Sequence, residues 1–95
     1  MHVLDALGNP VRREILVSLR ESPLSVNELA SRFPVSRPAI SRHLKILSDS
    51  GLVEPRSEGL RHVYRIRVEG FAPVREFIDQ FWDTALSRLA RLARK

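Results

Sequence analysis

Basic and hydroxyl side chains recur at the four-residue spacing of one helix face in the middle of the chain. Arg37, Ser41 and Lys45 align in this way, and Pro38 and Arg42 lie beside them. Arginine can donate two parallel hydrogen bonds to guanine O6 and N7, serine can bond to any base edge, and a proline ring can contact a thymine methyl group. Lys45, a turn further on, suits a phosphate. The row predicts a nucleic-acid surface, although any single member is equally typical of a solvated helix face.

Hydrolytic catalysis is the competing chemistry for this segment, with Ser36, Ser41, His43 and Asp49 as its candidates. The spacing disfavours it because Ser41 and His43 point in different directions on a helix, and no glycine-rich oxyanion turn accompanies them. His43 lies beside the apolar stripe of the same helix, where a lone histidine more often packs or contacts a phosphate. We therefore predict that the protein is not an enzyme, and we count Ser36 and His43 among the contacts to DNA.

Cysteine is absent from the 95 residues, and the three histidines, His2, His43 and His62, lie far apart. These counts exclude disulfides and a zinc finger, and they predict neither a metal site nor another cofactor. The first residues lack a basic segment, and no apolar run approaches the roughly 18 residues that a membrane span requires. We expect one cytoplasmic domain over residues 1–95.

Positive charge is concentrated in the middle of the sequence. The formal net charge is +5, and residues 36–67 carry seven Lys and Arg against three Asp and Glu, whereas residues 1–35 carry four of each. A local basic excess suits the phosphate backbone of double-stranded DNA, but it is also compatible with an ordinary solvated surface. The order of secondary-structure elements has to decide between the two.

Capping signals mark the helices of the first third. Asn9-Pro10 predicts the start of a helix from about 10 to 20, preceded by a short amphipathic helix that Gly8 closes. The capping box Ser25-Val26-Asn27-Glu28 predicts a second helix from 25 to about 32. These helices are expected to pack rather than to bind.

A tight turn around Pro34 leads to the helix that carries the basic row. Ser36 can cap this helix and Gly51 can end it, which predicts a recognition helix over about 36–50. Its buried stripe should consist of Ile40, Leu44 and Leu47.

Alternation of apolar and basic residues then predicts a two-stranded hairpin, or wing, over about 52–68 with a turn at Ser57-Glu58-Gly59. Arg56 and Arg61 on this hairpin are candidate contacts to the adjacent minor groove or its phosphates, and Arg61, nearest the turn, is preferred. The alternative is that the strand charges only discourage edge pairing.

A broad apolar stripe predicts a last helix from about 71 to 94. The stripe is wider than a three-helix core with a hairpin can cover, so we expect a second copy of the chain to cover it together with the first short helix. For Trp82 the alternative is packing within its own subunit. The predicted dimer-interface residues are Val3, Leu4, Leu7, Phe77, Ile78, Phe81, Trp82, Ala85 and Leu89.

Three segments resemble the ArsR family of winged-helix repressors: GNPVRREIL at 8–16, ELASRFPVSRPAISRHLKILSDSGLV at 28–53, and RHVYRI at 61–66. The resemblance spans nearly the whole chain. It implies an α+β, mainly α, winged helix-turn-helix fold with terminal dimerisation helices. In that family the middle segment reads DNA, and the first and last helices of two subunits pair.

Many members of that family sense metals through cysteines at the start of the helix before the recognition helix, or through Asp and His on the last helix. Here Ser25 occupies the first cysteine position, and the last helix begins in VEGFAPVREF, without histidine. The chain therefore resembles the non-metal-sensing members, some of which respond to a small molecule or a partner protein.

These observations predict a sequence-specific DNA-binding transcriptional regulator, specifically a homodimeric repressor that binds an inverted-repeat operator. A winged-helix module for protein association without DNA binding is the alternative, because fold alone does not fix function. The basic excess in residues 36–67 disfavours that alternative.

Overall fold

The computed structural model describes residues 2–94, so the predicted domain of 1–95 includes two terminal residues outside the described part. Its helices and strands follow the predicted order, helix-turn-helix and then hairpin and long helix. They are α1 (Val3–Ala6), α2 (Pro10–Glu21), α3 (Val26–Ala30), α4 (Arg37–Asp49), β1 (Val53–Glu58), β2 (Arg61–Ile66), a 3-10 turn (Val68–Phe71) and α5 (Ala72–Ala93). The strands form one antiparallel pair. The predicted winged helix-turn-helix fold is confirmed.

Side chains at the starts of α2, α3 and α4 satisfy backbone N–H groups that have no partner within the helix. Asn9 Oδ1 accepts from the second and third residues of α2, at 2.8 and 3.2 Å. The capping box is complete, since Ser25 Oγ accepts from the Glu28 N–H and Glu28 Oε1 accepts from the Ser25 N–H. Ser36 Oγ accepts from the third residue of α4 at 3.3 Å. All three predicted caps are confirmed.

Two predicted boundaries differ from the structure. Helix α3 ends at Ala30, two residues before the predicted end, and a turn follows. The strands continue through Ser57 and Glu58, so Gly59 and Leu60 alone make the hairpin turn, with Gly59 at a φ of +63°. Glycine is suited to this left-handed backbone because it has no Cβ.

The core lies where α1 to α4 and the base of the hairpin meet. The predicted stripe of α4, Ile40, Leu44 and Leu47, is fully buried. Each such side chain contributes about 1.5–3 kcal/mol by leaving water. The residues that complete the core are Val3, Ala6, Ile15, Leu16, Leu19, Leu24, Leu29, Leu52 and Val53.

The wing is fixed to the rest of the fold by a backbone bridge that the sequence did not predict. The Leu24 N–H donates to the Tyr64 carbonyl at 3.1 Å, and the Tyr64 N–H donates to the Leu24 carbonyl at 2.8 Å. The segment before α3 thus pairs with β2 over a single residue. This bridge sets the position of the hairpin relative to α3.

The structure of α1 corrects the prediction that Val3 belongs to the dimer interface. Val3 is only 6% exposed and packs into the core of its own chain, because α1 turns Val3 and Ala6 inward. Leu4 lies on the outer side and is exposed, and Leu7 is half-buried against the core. The apolar surface that α1 offers to a partner is therefore Leu4 with part of Leu7.

Helix α5 projects from this core. None of its 22 residues is buried, and its main contacts are with the 3-10 turn and α1. The chain measures 61 × 26 × 24 Å with a radius of gyration of 17.0 Å. A compact chain of this length would have a radius of gyration of about 12 Å. The extended shape leaves the apolar stripe of α5 without a cover in the single chain.

A close backbone approach joins the start of α5 to the end of α4, and it predicts the effect of one substitution. A Cβ added at Gly70 would lie 1.7 Å from the Gly51 carbonyl oxygen. Gly70→Ala should therefore lower the free energy of unfolding by about 1–3 kcal/mol, because the backbone must shift. Urea denaturation measures the loss. Gly8→Ala, whose methyl group would lie 3.2 Å from the Asp5 carbonyl oxygen, is the control and should cost less. Equal losses would contradict the assigned contact.

Candidate nucleic-acid interface

One side of α4 is polar and open to solvent, opposite its fully buried stripe. All members of the predicted row and its cap are exposed on this side: Ser36, Arg37, Pro38, Ser41, Arg42 and Lys45. The exposed Asp49 follows one turn later. Their common exposure follows from the helical period, which turns Ile40, Leu44 and Leu47 into the core. The amphipathic pattern therefore brings the six predicted residues to one surface.

The positive charges of this row are largely available. Within residues 2–94 neither Arg37 nor Arg42 forms an ion pair, so their guanidinium groups face solvent. Lys45 Nζ lies 3.3 Å from Asp49 Oδ2, an exposed pair one turn apart on the helix. Such pairs contribute about 0.3–0.5 kcal/mol, so Asp49 restrains Lys45 only weakly.

The arginines of the hairpin fall into two groups. Arg61 is paired with Glu28 of α3, and Arg65 Nη2 lies 2.6 Å from Glu54 Oε1 of the neighbouring strand. Arg56 is exposed on β1 and, among the described residues, has no acidic partner. Of the two predicted wing contacts, Arg56 is free and Arg61 is held by a carboxylate.

A groove joins the helix row to the wing. Its volume is about 340 Å³, and both Arg37 of α4 and Arg61 of β2 line it. The other lining residues are Ser25, Val26, Asn27 and His62. The two predicted binding elements therefore form one continuous surface.

His43 lies apart from the exposed row. It is half-buried, and its Nδ1 lies 3.4 Å from Nη1 of Arg12, a residue of α2. Burial, together with the positive charges of Arg12 and Arg42, lowers the pKa of His43 below its usual value of 6.5. The imidazole is accordingly neutral at pH 7. Its predicted contact to DNA stays a prediction, now with one ring nitrogen directed at Arg12.

Arg12 is a structural residue that the sequence interpretation missed. The residue is only 8% exposed, and its guanidinium donates to two carbonyl oxygens of α1, from Nε to Ala6 at 2.6 Å and from Nη2 to Asp5 at 3.3 Å. A signal was available, because Arg12 lies three residues before Ile15 on the apolar face of α2. A basic residue on such a face needs an internal partner.

Between residues 2 and 94, no three His, Asp or Glu side chains lie close enough together to hold a metal ion. In the same range no helix combines the length and the apolar character needed to cross a membrane.

A helix-turn-helix with an exposed basic recognition face, followed by a basic hairpin, defines the class of winged helix-turn-helix DNA-binding proteins. Residues 9–55 match the family model of bacterial regulatory proteins of the arsR family. The chain is 46% identical over 87 residues to the HTH-type transcriptional regulator Rv2034 of Mycobacterium tuberculosis, covering 92% of this chain and 81% of that protein. The chain belongs to the ArsR family and is a DNA-binding transcriptional regulator.

Solved structures show the same fold over most of the chain. A crystal structure described as a possible transcriptional regulator for arsenical resistance has a TM-score of 0.79 and 40% identity, with 96% of this chain and 95% of that chain covered. A winged helix-turn-helix DNA-binding domain from Mycobacterium bovis, solved as a homodimer, has a TM-score of 0.66 and 33% identity, with 83% and 73% covered.

The partial burial of His43, together with the nearby charge of Arg12, predicts a dependence of stability on pH. Because the pKa of His43 is lower in the folded than in the unfolded chain, the unfolded chain takes up the proton first as the pH falls. The contribution of His43 is complete above pH 6.5 and is lost towards the lowered pKa, at up to about 1.4 kcal/mol per pH unit. His43→Asn should flatten this fall, as measured by urea denaturation between about pH 7 and 5.5.

His62→Asn is the control for this measurement, because His62 is exposed on β2. This variant should show the same dependence of stability on pH as the wild-type protein. An unchanged slope in His43→Asn would contradict the assignment to His43. The pH range of the measurement ends before Glu28 begins to bind its proton, because the pKa of Glu28 is also lowered.

Proposed function

We propose that the protein is a homodimeric repressor that binds an inverted-repeat operator in double-stranded DNA. The observation that carries this proposal is the continuous basic surface formed by the exposed row of α4 and the wing. The major groove, about 12 Å wide, admits one helix, and the first half of a recognition helix normally meets the base edges. A module for protein association alone would have no need of this row.

Position along α4 divides the roles within the binding surface. Arg37, Pro38, Ser41 and Arg42 lie in the first half of the helix and are proposed to contact base edges, with Ser36 at its cap. Lys45 is proposed to contact phosphate, as is His43 through the ring nitrogen not directed at Arg12. Arg56 and Arg61 are proposed to reach the adjacent minor groove or its phosphates.

These roles predict different effects of two substitutions on α4. Arg42→Ala should weaken binding to the operator by about 1–3 kcal/mol and relax base preference, because a donor to base edges is lost. Lys45→Ala should weaken binding to all sequences alike and lower the salt slope by about one, because a phosphate contact is lost. Fluorescence anisotropy with operator and random duplexes over a salt series measures both.

Arg20→Ala is the matched control, because Arg20 is exposed on α2, outside the proposed surface. It should leave base preference and the salt slope unchanged. Intact operator binding in both Arg42→Ala and Lys45→Ala would show that α4 is not the recognition helix. Salt-independent behaviour of the wild-type protein towards random duplex would favour the protein-association module.

The apolar side of α5 supports a twofold dimer. Phe81 is 60% exposed and Trp82 is 59% exposed, although both are large apolar side chains. The stripe also contains the predicted residues Phe77, Ile78, Ala85 and Leu89, together with Leu86 and Leu92. Soluble monomers rarely expose more than a few hundred Å² of contiguous apolar surface, which supports cover by a second copy. Leu4 of α1, also exposed, extends this surface.

Twofold pairing through α1 and α5 predicts how one substitution affects assembly. Trp82→Ala should weaken dimerisation and DNA binding together, because two half-sites about 34 Å apart need two linked recognition helices. Analytical ultracentrifugation and anisotropy measure the two effects. Gln80→Ala, a change on the same helix outside the apolar stripe, should leave both intact. A folded wild-type monomer at micromolar concentration that binds one half-site would overturn the dimer.

We propose that the effector is a small molecule or a partner protein and not a metal ion. The absence of cysteine from the sequence and the separation of its three histidines support this. A regulator of this class acts on the chromosome. We therefore propose the cytoplasm as its location, and residues 1–95 as a single DNA-binding domain.

A further inference from the structure

The groove that joins α3, α4 and β2 has a lining rich in hydrogen-bond donors. Two guanidinium groups, Arg37 and Arg61, and one imidazole, His62, contribute to it. The hydroxyl of Ser25 and the amide of Asn27 add neutral polar groups. The volume of about 340 Å³ exceeds what one phosphodiester group fills. Its chemistry suits an anion with several acceptor oxygens.

In the free protein one of these donors is already engaged. Arg61 Nη2 donates to Glu28 Oε1, the same oxygen that accepts the Ser25 N–H at 3.0 Å. The hydrogen bonds from Ser25 and the charge of Arg61 lower the pKa of Glu28, so the carboxylate is ionised at neutral pH. Glu58 lies opposite Arg61 in the hairpin register but forms no ion pair with it among the described contacts.

The ion pair between Glu28 and Arg61 is weak enough for Arg61 to change its partner. Their side chains are 43% and 54% exposed, so solvent screens the attraction and the pair is weak. If Arg61 leaves, Glu28 keeps its hydrogen bond from Ser25, and the start of α3 stays capped. Arg61 can therefore move without breaking the fold.

We propose that this groove is a subsite for a phosphate of the DNA backbone, and that Glu28 competes with that phosphate for Arg61. The proposal rests on the DNA binding proposed above and adds a residue that limits its strength. Arg37 and His62 bind the phosphate from the groove, and Arg61 joins them by exchanging one anionic partner for another. The carboxylate left behind keeps the affinity for arbitrary DNA below what the basic surface alone would give.

The test compares Glu28→Gln in two backgrounds, the wild-type protein and Arg61→Gln, by anisotropy with a labelled random duplex, which reports the phosphate contribution. In the wild-type background Glu28→Gln should raise the affinity about two- to fivefold, the range that an exposed ion pair accounts for. In the Arg61→Gln background it should change nothing. Glutamine retains the oxygen that caps Ser25, and heat unfolding verifies the fold.

Glu54→Gln is the matched control, because it removes a carboxylate from the same hairpin and frees Arg65, which does not line the groove. An equal rise in Glu54→Gln would assign the effect to net charge and overturn the proposal. An equal rise in the Arg61→Gln background, or no rise in folded Glu28→Gln, would also overturn it. If no form of the protein bound duplex DNA, the proposed function would fail and the subsite with it.

A measurement on the unmodified protein tests the exchange directly. The NMR signals of the Arg61 guanidinium should shift when random duplex is added, because the partner of Arg61 Nη2 changes from carboxylate to phosphate, and the Arg65 signals should stay in place. An unmoved Arg61 signal in the bound protein would overturn the exchange even if the Glu28→Gln protein did not fold.

Discussion

The buried guanidinium of Arg12 is the interaction on which the arrangement of the first helices depends. It lies on α2, donates to the Ala6 and Asp5 carbonyls of α1, and contacts His43 of α4. No carboxylate balances its charge within residues 2–94, so carbonyl dipoles and a neutral imidazole stabilise it instead. Leaving such a charge without partners would be costly, which makes the arrangement of the three helices specific. One side chain thus ties the outer helix α1 to the recognition helix.

The same apolar pattern has opposite outcomes on α4 and α5. On α4, Leu44 and its neighbours are fully buried because α1, α2, α3 and β1 pack around them, and the polar side is left to solvent. On α5, Trp82 and the rest of the stripe stay exposed because no element described within residues 2–94 packs over them. A domain of this size can bury only about 60–65% of its unfolded surface. A second copy would cover part of the apolar surface that stays exposed. Burial of apolar surface would then stabilise both the folded chain and the dimer.

Local features of the fold could be predicted from the sequence, and long-range pairings could not. The caps at Asn9, Ser25 and Ser36 depend on residues within three positions, and these were predicted correctly. The bridge between Leu24 and Tyr64 joins residues 40 positions apart and consists of backbone groups, which any residue type supplies. Val3 was assigned to the outer surface because a four-residue helix shows too little of its period to tell the two sides apart.

In the candidate site, too, local features could be predicted from the sequence and long-range contacts could not. Exposure of the row on α4 follows from its helical period alone, and the sequence therefore predicted all six exposed members. The partner of Arg61 did not follow, since Glu28 already had a complete local role in the capping box, and its second contact depends on how the hairpin folds back over α3. His43 was assigned by its neighbours in the sequence, whereas its surroundings are set by Arg12, 31 positions away.

Two contacts help to hold α5 relative to α4, in addition to the packing of Val74 against the core, and they bear on the geometry of any dimer. At one end the Gly70 backbone lies against the Gly51 carbonyl, immediately after α4, and leaves no room for a side chain. Beyond it, α5 contacts α1, which Arg12 links to α4. Both connections run through backbone or through a buried charge, which tolerate little displacement. In a twofold dimer built on α5, a rotation of this helix would be multiplied by its length of about 33 Å before it reached the partner. Successive major grooves require a fixed separation of about 34 Å, so rigid attachment at these two points is what the proposed operator geometry demands.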